Sequence, residues 1–308
     1  MGLEILRAGL QSTVQDRGRF GYAHLGVSAS GAADNFSLRI GNMLVGNPNQ
    51  SAGIEMTIIG DKYRFKSDAY IALTGSEFEA ELDNKPIPFW QGLSIKKGQI
   101  LDIRSTKTGA RCYLCVAGGI NVEDVMGAKT THLTSGIGGC HGRILKILDE
   151  LDFGTLDNSI NPVQKLNESI TADNKIIRVT KGIQWLWFHK KQKNKFFQQQ
   201  YQVTDLSNRM GLRLIGNTIN TKKESEIITA GIPLGAIQIP ADGQPIISFV
   251  EHQTTGGYPI IANVISADFR KAGQLKPGDF FQFELTSFSR AEKLKVDQEK
   301  FLHSLQHD

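Results

Sequence analysis

Residues 235–259 read Gly-Ala-Ile-Gln-Ile-Pro-Ala-Asp-Gly-Gln-Pro-Ile-Ile-Ser-Phe-Val-Glu-His-Gln-Thr-Thr-Gly-Gly-Tyr-Pro. Apolar runs of strand length alternate here with turn formers. Ala236 to Pro240 is expected as a short strand, Ala241-Asp242-Gly243 as a turn, and Ile246 to Val250 as a buried strand. That last run leads at once into Gln253-Thr254-Thr255-Gly256-Gly257, so a polar, glycine-rich loop hangs on a core strand. Amides and hydroxyls beside two glycines can meet a planar amide, urea or carboxylate closely, because glycine lets the backbone approach. The same residues equally suit a turn whose hydroxyls satisfy its own backbone.

Working outward, short apolar runs recur between Gly, Asn, Asp and Pro: Ile54 to Ile59, Ala69 to Thr74, Ile100 to Ile103, Ala110 to Ala117, Ile176 to Val179 and Phe280 to Leu285. This spacing predicts a mainly β protein of barrel or sandwich type, with a few helices. At 308 residues the chain is long for one core. We expect an N-terminal β domain over 1–150, a linker over 151–175 rich in Asp, Asn, Ser and Pro, a C-terminal β domain over 176–288, and a closing helix over 289–308. Ser289 and Glu292 have capping-box spacing for that helix.

A net charge of +4 is spread along the chain. Its densest cluster, Lys190, Lys191, Lys193 and Lys195, lacks interleaved aromatics and reads as a solvated face, so no nucleic-acid partner is expected. No run approaches a membrane span and the first residues lack a signal-peptide core, so the expectation is a cytoplasmic protein without a membrane partner. Cys112 and Cys115 sit three apart in a strand, where they face opposite sides, so they are expected neither to pair nor to share a metal; no metal site is expected.

Two further polar concentrations stand out. Residues 11–21 pack Gln15, Asp16, Arg17 and Arg19 into what reads as a glycine-punctuated loop, where the arginines either pair with Asp16 or leave a fork free for an anion. After it, Phe36, Ile40, Met43 and Leu44 mark one face of a helix, with Ser30 or Asp34 as N-cap and free N–H groups at its start able to hold an anion. Residues 136–143 fit neither a Walker A loop nor a dinucleotide fingerprint and read as a turn, with His141 and Arg143 in it.

Taken together, the segments 13–19, 26–34, 44–47, 116–120, 207–211 and 235–259 resemble the KipA family, also called allophanate hydrolase subunit 2 or the C subunit of the bacterial ATP-dependent 5-oxoprolinase. The resemblance runs from about residue 3 to 285. It implies two related cyclophilin-like β-barrel domains and a heteromeric complex with KipI-like (B) and YcsF-like (A) subunits. Such complexes open 5-oxoproline to glutamate with ATP, while fused relatives are carboxyltransferase parts of urea carboxylase. A third implied role is a regulator that binds a KipI-type kinase inhibitor.

ATP is therefore expected at the level of the complex. Biotin, if used, would arrive on another chain, since no methionine precedes a lysine here. The resemblance nominates Gln15, Asp16, Arg17, Arg19, Asp34, Arg209, Gln238, Gln244, Gln253, Thr254 and Tyr258 as a shared substrate pocket, and leaves the catalytic groups unassigned. The chain departs from the family at Ala33, at Asn208 where Asp is usual, and at Glu251-His252 where Asp-Arg is usual. Only a protonated His252 would restore part of that lost charge.

Overall fold

A computed structural model describes residues 1–154, 163, 166, 173, 175–221 and 227–305. They fall into two compact units: residues 1–19, 30–171 and 301–308, and residues 20–29 and 172–300. Most of the expected linker over 151–175 lies outside the described residues. Its first residues are not linker: Glu150–Phe153 is a strand paired with Gly2–Arg7.

The first unit is a sandwich with a helix on one side. One sheet has the order Ile120–Asn121, Glu150–Phe153, Gly2–Arg7, Lys62–Phe65, Ile100–Thr106, Phe78–Leu82, Lys85–Pro86. The other runs Gln11–Gln15, Gly53–Thr57, Arg111–Val116, Ala69–Gly75, Gly92–Ile95. Leu3, Ile5, Tyr63, Phe65 and Leu101 of the first sheet share one core with Val14, Ile54, Ile71 and Leu114 of the second.

The helix Asn35–Leu44 covers the outer side of the second sheet, with Leu38, Ile40 and Leu44 against Ala72, Tyr113 and Cys115. Arg111–Val116 is therefore buried on both faces: Cys112, Leu114 and Val116 enter the inter-sheet core, while Tyr113 and Cys115 meet the helix. The alternation read from the sequence places the two thiols on opposite sides, as expected.

Gln11–Gln15 corrects the reading of residues 11–21 as a loop throughout: it is an edge strand paired with Gly53–Thr57. With Val14 its only large apolar residue, nothing in its composition announced a strand. The turn over residues 136–143 is framed by a bidentate pair in which Arg143 donates to Asp149 at 2.6 and 2.8 Å, and Asp149 also accepts from the Lys146 N–H at 2.8 Å. The guanidinium first, helped by the Lys146 N–H, holds the Asp149 carboxyl below its usual range.

A depressed folded-state pKa adds stability that is complete above the unfolded pKa and is lost as pH falls through the folded value. Asp149→Asn should therefore lower stability at neutral pH and flatten its fall on acidification, a difference read by urea titrations at neutral and acid pH.

The second unit contains a closed barrel in the order Ile176–Lys181, Ile260–Val264, Ala236–Gln238, Ile246–Ser248, Gly211–Ile215, Tyr201–Val203, Phe280–Leu285, the last pairing in parallel with the first. The mainly β expectation holds, with hydrogen bonds closing on themselves here and two facing sheets in the first unit. Phe196 anchors a helix over Lys190–Gln198 that sequence periodicity does not announce, since apart from the adjacent Phe197 its other residues are lysine and amide.

Trp185–Trp187 is a turn of 3₁₀ helix, and the Lys193 ammonium lies 4.5 Å from the Trp185 ring centroid. The closing helix spans Phe288–Ser304, one residue earlier than expected. Ser287, not Ser289, caps it: its Oγ accepts from the Arg290 N–H at 3.2 Å. No helix among the described residues is long and apolar enough to cross a membrane.

Candidate functional site

Strand register builds one cavity in the second unit. Gly211 stands opposite Ser248 and Arg213 opposite Ile246, and Ile246 in turn stands opposite Gln238. Residues directly opposite in a ladder share a face. Gly211, Arg213, Ile246, Ser248 and Gln238 thus form one platform, while Leu212, Leu214, Ile237 and Ile247 are buried. This platform floors a cavity of about 550 Å³, walled by Asn208, Met210, Ile227, Thr229, His252, Gln253, Gly256, Gly257 and Tyr258.

The polar loop that follows the Ile246–Ser248 strand is held from the side. Thr255–Gly256 pairs with Ala230–Gly231, the Ile232 N–H donates to Thr254 O at 2.9 Å, and the Ile227 N–H donates to Gly257 O at 2.7 Å. A Cβ on Gly256 would lie 2.3 Å from Ile232 Cδ1, so a larger residue there would require the Ile232 side chain to turn aside. The loop is thus neither free nor satisfied only by its own hydroxyls.

Several groups in this cavity remain available. Gln238 donates through Nε2 to Ser248 Oγ at 3.0 Å, leaving its carbonyl oxygen as an acceptor. Asn208 spends Oδ1 on the Met210 and Gly211 N–H groups at 2.8 and 3.3 Å, so its Nδ2 is left to donate. The turn asks only for that one oxygen, which Asp supplies equally. The change from Asp to Asn turns the second atom from acceptor to donor and removes a negative charge.

Arg213 is exposed, and its guanidinium has no hydrogen bond or ion pair among the described residues. Its backbone is fixed by Ser207 Oγ, which accepts from the Arg213 N–H at 3.0 Å, and by the Thr204 N–H, which donates to Arg213 O at 2.9 Å. None of the described residues lining the cavity is a carboxylate.

His252 does not replace the missing guanidinium. Burial pushes its pKa down, and its Nδ1 lies 2.8 Å from Gln253 O, where a neutral ring donates and leaves Nε2 as an acceptor.

Of the nominated residues, Gln238, Gln253 and Tyr258 line this cavity, and Thr254 supports it through its carbonyl. Gln244 clamps Gly216 instead, accepting from its N–H at 2.9 Å and donating to its carbonyl at 3.1 Å. Arg209 is buried and donates through Nε to Glu251 at 2.6 Å, and neither residue is among those lining the cavity.

The remaining nominees belong to the first unit. Gln15 is buried and bonded to Thr13, Thr130 and Thr131 O. Arg19 is buried and donates to the carbonyls of Val125 and Thr130 at 2.7 and 3.0 Å. Asp34 caps its helix, accepting from the Ser37 N–H at 3.0 Å and from Ser37 Oγ at 2.6 Å, which settles the choice between Ser30 and Asp34. Asp16 and Arg17 line a different cavity, described below. Each of the two cavities is lined from within a single unit, and five nominees, Gln15, Arg19, Asp34, Arg209 and Gln244, are framework residues.

Arg213 is the main group the sequence reading passed over. The alternation Leu212, Arg213, Leu214 points it outward, but only the register with Ile246 and Gln238 places it on the cavity floor.

Comparison with known proteins accounts for this architecture. The model of the carboxyltransferase domain, subdomain A and B, matches residues 25–285. The chain belongs to this family. It is 38% identical to the C subunit of 5-oxoprolinase from Escherichia coli strain K12, over 98% of this chain and 97% of that protein. It is 34% identical to the C subunit of 5-oxoprolinase from Haemophilus influenzae, again over 98% and 97%.

Among solved structures, the Kluyveromyces lactis urea carboxylase superposes with a TM-score of 0.91 at 31% identity, covering 99% of this chain but 29% of that one. The resemblance read from the motifs thus holds across nearly the whole length. This member of the carboxyltransferase family corresponds in extent to the separate bacterial proteins and to less than a third of the fused enzyme.

Proposed function

We propose that the chain is the C subunit of an ATP-dependent 5-oxoprolinase, working with KipI-like (B) and YcsF-like (A) subunits to open 5-oxoproline to L-glutamate. Full-length similarity to two proteins named as C subunits of 5-oxoprolinase supports the reading. The observation that carries it is the cavity floored by Arg213 and Gln238. A cyclic amide with a carboxylate needs an acceptor for its N–H, a donor for its carbonyl and a cation for its carboxylate. Gln238 Oε1, the Asn208 or Gln253 amide and Arg213 supply these three.

Ring opening adds water oxygen at the lactam carbon, breaks the ring C–N bond and leaves the nitrogen as the amine of glutamate. Among the described residues the lining includes no carboxylate, lysine or cysteine, and the proposal gives this chain the binding and orienting of the lactam. ATP and the bond-breaking groups are assigned to the assembled complex.

Arg213→Gln should raise KM for 5-oxoproline about tenfold to a hundredfold, the value of a charge-assisted contact, with kcat largely kept. The decisive test is ATP hydrolysis by this chain with both partner types, with and without 5-oxoproline. Turnover that requires lactam and chain together supports the proposal, and ATP hydrolysis indifferent to either defeats it.

The similarity to urea carboxylase supports a second reading, a carboxyltransferase component that receives carboxyl from biotin on another chain. Urea has no carboxylate for Arg213, so on that reading Arg213→Gln would leave KM unchanged. A KipA-like regulator binding a KipI-type inhibitor would need neither residue.

A further inference from the structure

The first unit contains a second polar cavity, of about 340 Å³, which the lactam reading leaves unused. Four segments distant in sequence meet there: Asp16 to Gly18, Pro48 with Gln50 to Ala52, Gly118 to Ile120, and Asp124 with Gly127 to Lys129. Its walls are fixed by buried side chains that spend their polar atoms on backbone. Asp16 accepts from the Gly18 N–H at 2.8 Å and from the Lys129 N–H at 2.6 Å. Asn47 accepts from the Gly118 N–H at 2.7 Å and donates to Val116 O at 2.7 Å. Gly118 and Gly119 both have positive φ, +88° and +69°, which brings backbone rather than side chains to the cavity wall.

Inside this rigid frame the charged ends are uncommitted. Arg17 and Asp124 are exposed and have no hydrogen bond or ion pair among the described residues. The Lys129 ammonium reaches only the neutral Asn121 Oδ1, at 3.3 Å. Asp16 spends its carboxylate oxygens on two backbone donors, which leaves Asp124 as the carboxylate without a hydrogen bond among the described residues of the lining, beside Arg17 and Lys129.

We infer that this cavity is a second ligand site, for a small oxyanion held between Arg17 and Lys129, with Asp124 available for a donor on the same ligand. A guanidinium and an ammonium set on a fixed backbone are the groups that recognise phosphate or carboxylate. The inference stands apart from the lactam reading, because it rests on the other unit and needs no turnover.

The test is a titration of the full chain with inorganic phosphate and, separately, with L-glutamate, followed by calorimetry. It is done in an Arg213→Gln background so that the cavity of the second unit does not contribute. One or both anions should bind, and Arg17→Gln and Lys129→Gln should each weaken binding about tenfold. The two probes separate the sources: Asp124→Asn should weaken glutamate, through its ammonium, and leave phosphate unchanged. Both glutamine variants remove side chains that take no part in framing the cavity, and thermal unfolding at the parent temperature verifies that they fold. The inference is overturned if neither anion binds, or if binding is indifferent to both substitutions.

Discussion

Glu251→Ala is expected to destabilise the second unit by about 3–5 kcal/mol, because it takes a carboxylate partner from the buried Arg209 guanidinium. The carboxylate lies 2.6 Å from Arg209 Nε, and the Glu251 N–H also donates to Arg209 O at 2.7 Å, so the two segments are tied by side chain and backbone together. Arg209→Ala should cost a similar amount for the complementary reason. The double variant Arg209→Met with Glu251→Leu removes both charges and keeps apolar volume, so it should recover most of the loss. Urea unfolding of the four proteins measures this coupling directly; equal and additive losses would show that the pair is not coupled. If the pair behaves as expected, loss of activity in an Arg209→Ala protein reports lost folding and says nothing about ligand contact.

Phe196→Ala should be as damaging, about 3–5 kcal/mol, for an apolar reason. Phe196 is fully buried, stacked on Phe283 at 4.8 Å between centroids and edge-on to Phe197 at 5.0 Å, with Tyr201 at 5.7 Å. It is the buried side chain of the lysine-rich helix, set into the aromatic core of the barrel unit. Truncation leaves a void that the stacked Phe283 cannot fill without leaving its own rotamer. Lys191→Ala, on the exposed side of the same helix, should change stability by less than about 0.5 kcal/mol. Chemical denaturation of both variants contrasts the two faces; comparable effects would mean that the helix is not anchored by Phe196.

What could be read in advance follows from what each signal depends on. Alternation is a local property, so the opposed positions of Cys112 and Cys115 and the apolar face of Asn35–Leu44 were visible in the residues themselves. Gln11–Gln15 was not, because a polar edge strand gains its place from backbone pairing with Gly53–Thr57. The site divides in the same way. Gln238, Gln253 and Tyr258 lie in or beside the quoted stretch and do face its cavity. Gln15, Arg19 and Arg209 are polar residues in the same motifs, but their partners come from Thr131, Val125 and Glu251. No sequence pattern distinguishes an arginine that awaits an anion from one already spent on the framework. Arg213 was the converse case, set apart only by cross-strand register.

The doubly covered strand Arg111–Val116 gives the natural protein a built-in reporter. All three cysteines are free thiols and buried, with Cys112 and Cys115 fully enclosed on its two sides. Burial also raises both thiol pKa values, suppressing the thiolate that alkylating reagents attack. Modification of Cys112 then requires separation of the two sheets, and modification of Cys115 requires the helix to lift away. The ratio of adducts at these two positions, resolved by mass spectrometry under mild denaturant, would give the order in which the layers of the unlabelled protein come apart.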